Sequence, residues 1–144
     1  MAFTGPITYS PEDVTLACGG FLLSGFADGT FVKVEPEDDR FKKLVGADGE
    51  VTRTKSANRS GTITVTLLQT SNSNAVLSNL ARIDDLTGYG SFDVLCKDNL
   101  GNVAFAATGW IRKVPGPEYG KEQSNREWTI DCSYLDITYV AQIL

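Results

Sequence analysis

The sequence contains no histidine, and that absence removes more candidate functions than any other feature. Ser/His/Asp and Cys/His catalysis both need an imidazole that trades a proton near neutral pH, and none is present. Cysteine is scarce, with three in the chain, and Cys18, Cys96 and Cys132 lie far apart without a CxxC pair. They read as reduced, partly buried small hydrophobes, not as zinc ligands or a disulfide framework. Apolar runs are short, as in Phe21-Leu22-Leu23, and none approaches the roughly 20 residues a membrane helix needs. Met1 to Pro6 shows no basic stretch leading into an apolar one, so neither a secretion signal nor a membrane anchor is expected. Synthesis in a cytoplasm is the expectation. An excess of positive charge is also missing: 13 basic against 18 acidic side chains give a net charge of −5. Nucleic-acid binders draw affinity from lysines and arginines that neutralise phosphates, and this balance opposes that. A surface that DNA slides past without sticking is compatible with it.

Motifs with chemistry are equally sparse. Gly116 to Lys121 reads G-x-x-x-G-K, one residue short of a phosphate-binding loop, with Glu122 where a magnesium-holding Ser or Thr belongs. Gly88-Tyr89-Gly90 lacks the third glycine of a dinucleotide fingerprint and follows a helical pattern instead of a strand. Glu37-Asp38-Asp39 is acidic, but the calcium loop with its glycine and terminal glutamate is absent. No catalytic residue, cofactor or metal site is assigned.

What the sequence does have is period-2 alternation. Thr62-Ile63-Thr64-Val65-Thr66-Leu67 places Ile63, Val65 and Leu67 on one face and three threonines on the other. Trp128 to Tyr134 repeats the pattern, with Thr129, Asp131 and Ser133 facing away from the core and Tyr134 in phase with Trp128. Phe92–Cys96, Val103–Ala107 and Ile137–Ala141 alternate similarly, and all are rich in β-branched and aromatic residues. Asp28-Gly29, Asp48-Gly49 and Asp98 to Asn102 mark hairpin turns, and Pro115-Gly116-Pro117 opens a loop reaching to about Gln123. One segment reads as a helix, about 73–87, with a polar cap in Ser71-Asn72-Ser73 and Gly88 as its stop. Val76, Leu77, Leu80 and Ile83 form its apolar face. Residues 1–144 are read as one domain: mainly β, an antiparallel sandwich or barrel with one flanking α-helix.

The stretch about 36–61 differs from its surroundings. It opens acidic and turns basic, with few large apolar residues between, and so long a segment with little core of its own is often functional. It reads as an extended charged hairpin arm. Glu37, Asp38, Asp39, Arg40, Lys42, Lys43, Arg53, Lys55 and Arg59 are its candidate inter-subunit residues, docking on the next copy of the chain. Thr62, Thr64 and Thr66 are candidates for a face toward solvent or a lumen.

The order of these features resembles the tail tube proteins of tailed phages, in particular small structural proteins that go with contractile tails. The resemblance rests on Gly25-Phe26-Ala27-Asp28-Gly29-Thr30-Phe31, on the arm from Asp38-Asp39-Arg40-Phe41 to Gly46-Ala47-Asp48-Gly49-Glu50, and on Gly61 to Leu67 running into Gln69-Thr70-Ser71-Asn72-Ser73-Asn74. It implies hexameric rings, strands lent to a shared barrel around a channel, and an arm reaching the neighbouring ring. It also implies sheath, baseplate initiator and tail terminator as partners, DNA passing through the lumen unbound, and a place in the virion tail. Tube subunits of type VI secretion or pyocin-like devices are the related alternative. From other classes, a small-ligand-binding β-barrel and a hydrolase using Asp93 and Asp131 are the rival readings.

Overall fold

The computed structural model describes residues 6, 8–98 and 103–139. After a short 3-10 turn at Pro11–Asp13 come β1 (Thr15–Cys18), β2 (Phe21–Leu22), β3 (Val32–Pro36), β4 (Phe41–Val45), β5 (Val51–Lys55) and β6 (Gly61–Leu67). The helix α1 (Ser73–Thr87) and β7 (Phe92–Lys97), β8 (Val103–Lys113) and β9 (Arg126–Ile137) follow. Seven strands form one antiparallel sheet in the order β2-β1-β7-β8-β9-β6-β3, while β4 and β5 pair only with each other.

The sheet folds back on itself. Cys132 of β9 lies close enough to Cys18 of β1 to help hold its proton, although β7 and β8 separate their strands in the sheet. Val32 and Val34 of β3 likewise line one groove with Cys96 and Phe105. The end strands β2 and β3 do not pair with each other, so the result is sandwich-like and not a closed barrel. Its interior is filled by Leu16, Ile63, Val65, Leu67, Val94, Trp128, Ile130 and Leu77 of α1, all buried. Burying each large aliphatic side chain contributes about 1.5–3 kcal/mol over leaving it in water.

The alternation in β6 is realised without exception: Gly61, Ile63, Val65 and Leu67 point inward, and the threonines between them form the other face. In β9 the alternation breaks. Thr108 pairs with Tyr134 and Gly109 with Cys132, which leaves Ser133 as the extra residue of a β-bulge. A bulge inverts the in-and-out phase beyond it. Leu135 is therefore buried and Tyr134 exposed, a correction to the single phase expected along Trp128–Tyr134. Thr129 is also buried, although its register opposite Thr64 keeps it on the face away from the core.

The Asp28-Gly29 turn exists, but not as a hairpin between β2 and β3. Ala27 N–H donates to Thr66 O, and Thr66 N–H donates to Phe31 O, at 3.0 and 2.9 Å. Residues 28–30 thus loop out from an edge that runs along β6, with Gly29 at φ 89°. Asp48-Gly49 does close a hairpin: Gly49 N–H donates to Gly46 O and Gly46 N–H to Glu50 O, with Gly49 at φ 86°. That is a type I turn followed by a left-handed glycine, a common three-residue connection. The turn expected at residues 99–102 and the strand residues Val140-Ala141 lie outside the described residues; β9 ends at Ile137.

The helix spans the expected residues and stops at Gly88, whose φ of 74° lets its N–H reach Asp84 O at 2.8 Å. Its start is tied down by side chains of the preceding turn. Ser71 Oγ accepts from Ser73 N–H and donates to Ser24 O, while Ser73 Oγ accepts from Ser24 N–H. Leu77 is buried and Val76 and Leu80 are partly so, but Ile83 is exposed, lining an open groove with Phe21 of β2.

Candidate assembly interface

Two legs join the β4–β5 hairpin, which pairs with no other strand, to the seven-stranded sheet. Residues 37–40 leave the end of β3, and residues 56–60 return to the start of β6. Glu37 N–H donates to Ser60 O at 3.1 Å, Ser56 N–H to Arg40 O at 2.8 Å, and Leu135 N–H to Arg59 O at 2.8 Å. Side chains add to this clamp: Asn58 Nδ2 donates to Asp38 Oδ2 at 3.0 Å, and Ser60 Oγ donates to Glu37. Glu37 and Asp38 thus sit at the base as hydrogen-bond acceptors, and Asp39 is exposed beside them.

Beyond the base the hairpin is cationic. Register places Phe41 opposite Lys55, Lys43 opposite Arg53 and Val45 opposite Val51, so these six share one face. Lys42 and Leu44 lie on the other, opposite Thr54 and Thr52. The guanidinium groups of Arg40 and Arg53 stand over the Phe41 ring, 5.6 and 4.4 Å from its centroid. Among the described residues the only ion pairs are Lys33–Glu35 and Arg112–Asp131, and none of them involves a cation of the hairpin. The tip is apolar and exposed at Leu44, Val45 and Val51. A two-stranded hairpin without a third strand or a packing partner is marginal in water.

Thr62, Thr64 and Thr66 lie on the sheet face opposite the core. Cross-strand register extends them into polar rows: Glu35–Thr62–Asp131–Trp110 and Lys33–Thr64–Thr129. Asp93 joins this side, accepting from Thr108 Oγ1 at 3.0 Å.

That placement removes the hydrolase reading. Asp93 pairs with Thr108 and Asp131 with Trp110, so β8 lies between the two acids and they are two residues out of line. Two interstrand spacings and that offset put them about 12 Å apart, beyond the reach of a carboxylate pair. The thiols are unreactive by environment: burial pushes Cys18 up to about 12, with Cys132 adding to it, and burial raises Cys132 to about 11. Among the described residues no group of metal-binding side chains comes together, and no helix is long and apolar enough to cross a membrane.

Sequence reasoning missed two features. Arg126 is buried and donates to Ser124 O, Ser124 Oγ and Glu118 O, stapling the loop between β8 and β9 with Tyr119 over its guanidinium. The second is an open apolar groove between α1 and β2, floored by Phe21, Leu80, Ile83 and Leu86. Its signal was present, because Ile83 and Leu86 extend the apolar stripe of α1 further than one sheet can cover.

The fold is shared with solved injection machines. A chain of the extended PVC sheath–tube complex, an extracellular contractile injection system, superposes with TM-score 0.59 at 11% identity, covering 92% of this chain and 93% of that one. The PVC sheath/tube terminator gives TM-score 0.54 at 9% identity, covering 96% and 100%. The tube-terminating cap of the anti-feeding prophage gives 0.52 at 10%, covering 97% of each. By sequence, structural protein ORF10 of Pseudomonas phage KPP10 is 36% identical over 132 residues, covering 85% of this chain and 76% of the relative. The family model described as bacteriophage PhiTE tail tube protein matches residues 7–139, and the chain belongs to that family: it is a structural protein of a phage tail and not an enzyme.

Proposed function

We propose that copies of this chain close into hexameric rings that stack into the inner tail tube, through which DNA is ejected into the host. The observation that carries this reading is the β4–β5 hairpin. It is a cationic, apolar-tipped element with no core of its own, on a chain whose net charge is −5. Such a hairpin becomes ordered by lying on a second copy, and head-to-tail contact of that kind does not close, so it grows a filament. Ring stacking is carried by Arg40, Lys42, Lys43, Arg53, Lys55 and Arg59, with Glu37, Asp38 and Asp39 fixing the base from which the arm projects. The free edges at β2 and β3 suit pairing with neighbours around a ring, since unpaired edges are an aggregation hazard in a free subunit. Thr62, Thr64 and Thr66 suit a lumen wall, because the nearby cations Lys33 and Arg112 are already paired with Glu35 and Asp131 and so offer passing phosphates little free positive charge. Sheath, baseplate initiator and tail terminator are the partners, and the likeness to chains of sheath–tube and terminator complexes supports the choice. The protein is made in the bacterial cytoplasm and ends in the virion tail.

Negative-stain electron microscopy of the purified protein over a range of concentrations tests this. Stacked rings or hollow filaments of uniform width are expected, and Lys42→Glu/Lys43→Glu should abolish stacking while leaving the fold intact. Dispersed particles at every concentration, or normal filaments from the double variant, overturn the reading.

A further inference from the structure

The hairpin of one copy needs a seat on the next, and the described surface holds a groove that fits it. Phe21 is 55% exposed and Leu86 79% exposed, and with Ile83 and Leu80 they form an open apolar trough between α1 and β2. Exposed apolar area of this kind is costly in a free subunit and marks an interaction site. The hairpin tip is its counterpart: Leu44 is 73% exposed, with Val45 and Val51 beside it.

Charge selects the same match. Residues 40–55 hold five of the 13 basic side chains and two of the 18 acidic ones, so the remainder of each copy is strongly acidic. The two acids, Asp48 and Glu50, sit at the hairpin's turn, at its far end. The groove has the opposite order. Arg82 lines it, whereas Asp84 and Asp85 occupy the last turns of α1 close by, where no basic residue accompanies the negative end of the helix dipole. Arg82 has no ion-pair partner among the described residues of its own chain.

Resting on the stacking reading above, we infer that the β4–β5 tip of one copy docks in the α1–β2 groove of another. Val45 and Val51, which share one face of the hairpin, lie on Phe21, Ile83 and Leu86. Asp48 and Glu50 meet Arg82, and Lys43 and Arg53, set about 7 Å behind the tip by two strand residues, face the acidic end of α1. The occupant is a second copy of this chain, and the polar pair at the rim fixes which way the hairpin enters.

Charge exchange tests the seat. Arg82→Glu should raise the concentration needed for filaments about tenfold or more, and Asp48→Lys/Glu50→Lys should do the same. Combining all three should bring assembly back to within about threefold of the parent, because the pair is re-formed with its signs exchanged. As a second readout, Val45→Cys with Leu86→Cys should cross-link different copies under mild oxidation, and only in assembled protein. Normal assembly of Arg82→Glu beside failed assembly of Lys42→Glu/Lys43→Glu refutes this groove while stacking by the arm survives. Normal assembly of the lysine variant defeats both. A Val45–Leu86 cross-link within a single copy, or failure of the triple combination to rescue, also overturns the inference.

Discussion

The guanidinium of Arg53 lies over the ring of Phe41, 4.4 Å from its centroid, and this stack is what the β4–β5 hairpin has in place of a core. An exposed cation–π contact contributes on the order of 0.5–1 kcal/mol. Arg53→Ala should therefore speed amide exchange across residues 41–55. The midpoint of global unfolding should stay within about 2 °C, because the seven-stranded sheet does not depend on the hairpin. Hydrogen exchange read beside calorimetry separates the two effects. A large drop in the global midpoint would contradict the hairpin's independence.

The joint between helix and sheet behaves differently. Trp128 Nε1–H donates to Asn74 Oδ1 at 2.9 Å, and Asn74 Nδ2 donates to Leu68 O and Ser71 O at 2.9 and 3.1 Å. Asn74→Ala removes all three bonds and strands an indole N–H in the interior. A loss of about 1–3 kcal/mol is expected, measured by chemical unfolding at constant m-value.

Gly109 tolerates no side chain. A Cβ there would stand 2.2 Å from the backbone carbonyl oxygen of Asp131, on the strand that pairs with it across the bulge. Gly109→Ala should cost more than about 3 kcal/mol or give insoluble protein, whereas Gly116→Ala, with nothing within 4 Å, should be tolerated. Soluble yield and thermal midpoint of the two variants provide the comparison.

Alkaline stability should fall through the buried thiols. Cys18 is pushed from its ordinary 9.0 to about 12 by burial, so above pH 9 the unfolded thiol loses its proton while the folded one keeps it. The unfolded state then binds fewer protons, and stability declines as pH rises from 9 toward 12, by about 1.4 kcal/mol per pH unit from this group. Urea midpoints measured across that window should fall less steeply for Cys18→Ala. At pH 8 a thiol reagent should label the cysteines slowly until denaturant is added.

Assembly should weaken with salt while folding does not. The arm cations have no ion-pair partner within the described chain, so their attraction to an acidic neighbour is exposed to screening. Raising sodium chloride from about 50 mM to about 500 mM should increase the filament-forming concentration severalfold and leave the unfolding midpoint nearly unchanged. Sedimentation at the two salt levels reads this directly.

Elements whose signal is local were legible in the sequence. The helix over 73–87 and the β6 alternation are each written in consecutive side chains, and the Gly46–Glu50 turn carries its glycine where the backbone requires it. Ser133 could not be read as a bulge, because the extra residue is defined only by what Thr108 and Gly109 of another strand pair with. Asp28-Gly29 misled for the same reason: a turn signal shows that the chain bends, and the partner of the bent edge, β6, lies over 30 residues downstream. The β4–β5 segment stood out in the sequence through its charge. The groove at Phe21 was half legible: the long apolar stripe of α1 signals its one side, but that β2 supplies the other is fixed only by the fold.

The clamp at the base of the hairpin has a mechanical consequence. Any load applied to the tip reaches the core only through residues 37–40 and 56–60, and these legs are tied to each other at Glu37–Ser60, Asp38–Asn58 and Arg40–Ser56. A pull along the hairpin axis is shared by the two covalent legs, and the ties between them keep the legs from spreading. A twist opens the ties one after another, beginning with Arg40–Ser56, which lies nearest the strands. A load that spreads the legs is thus met first by these ties and by the Leu135–Arg59 bond, before it reaches β3 or β6.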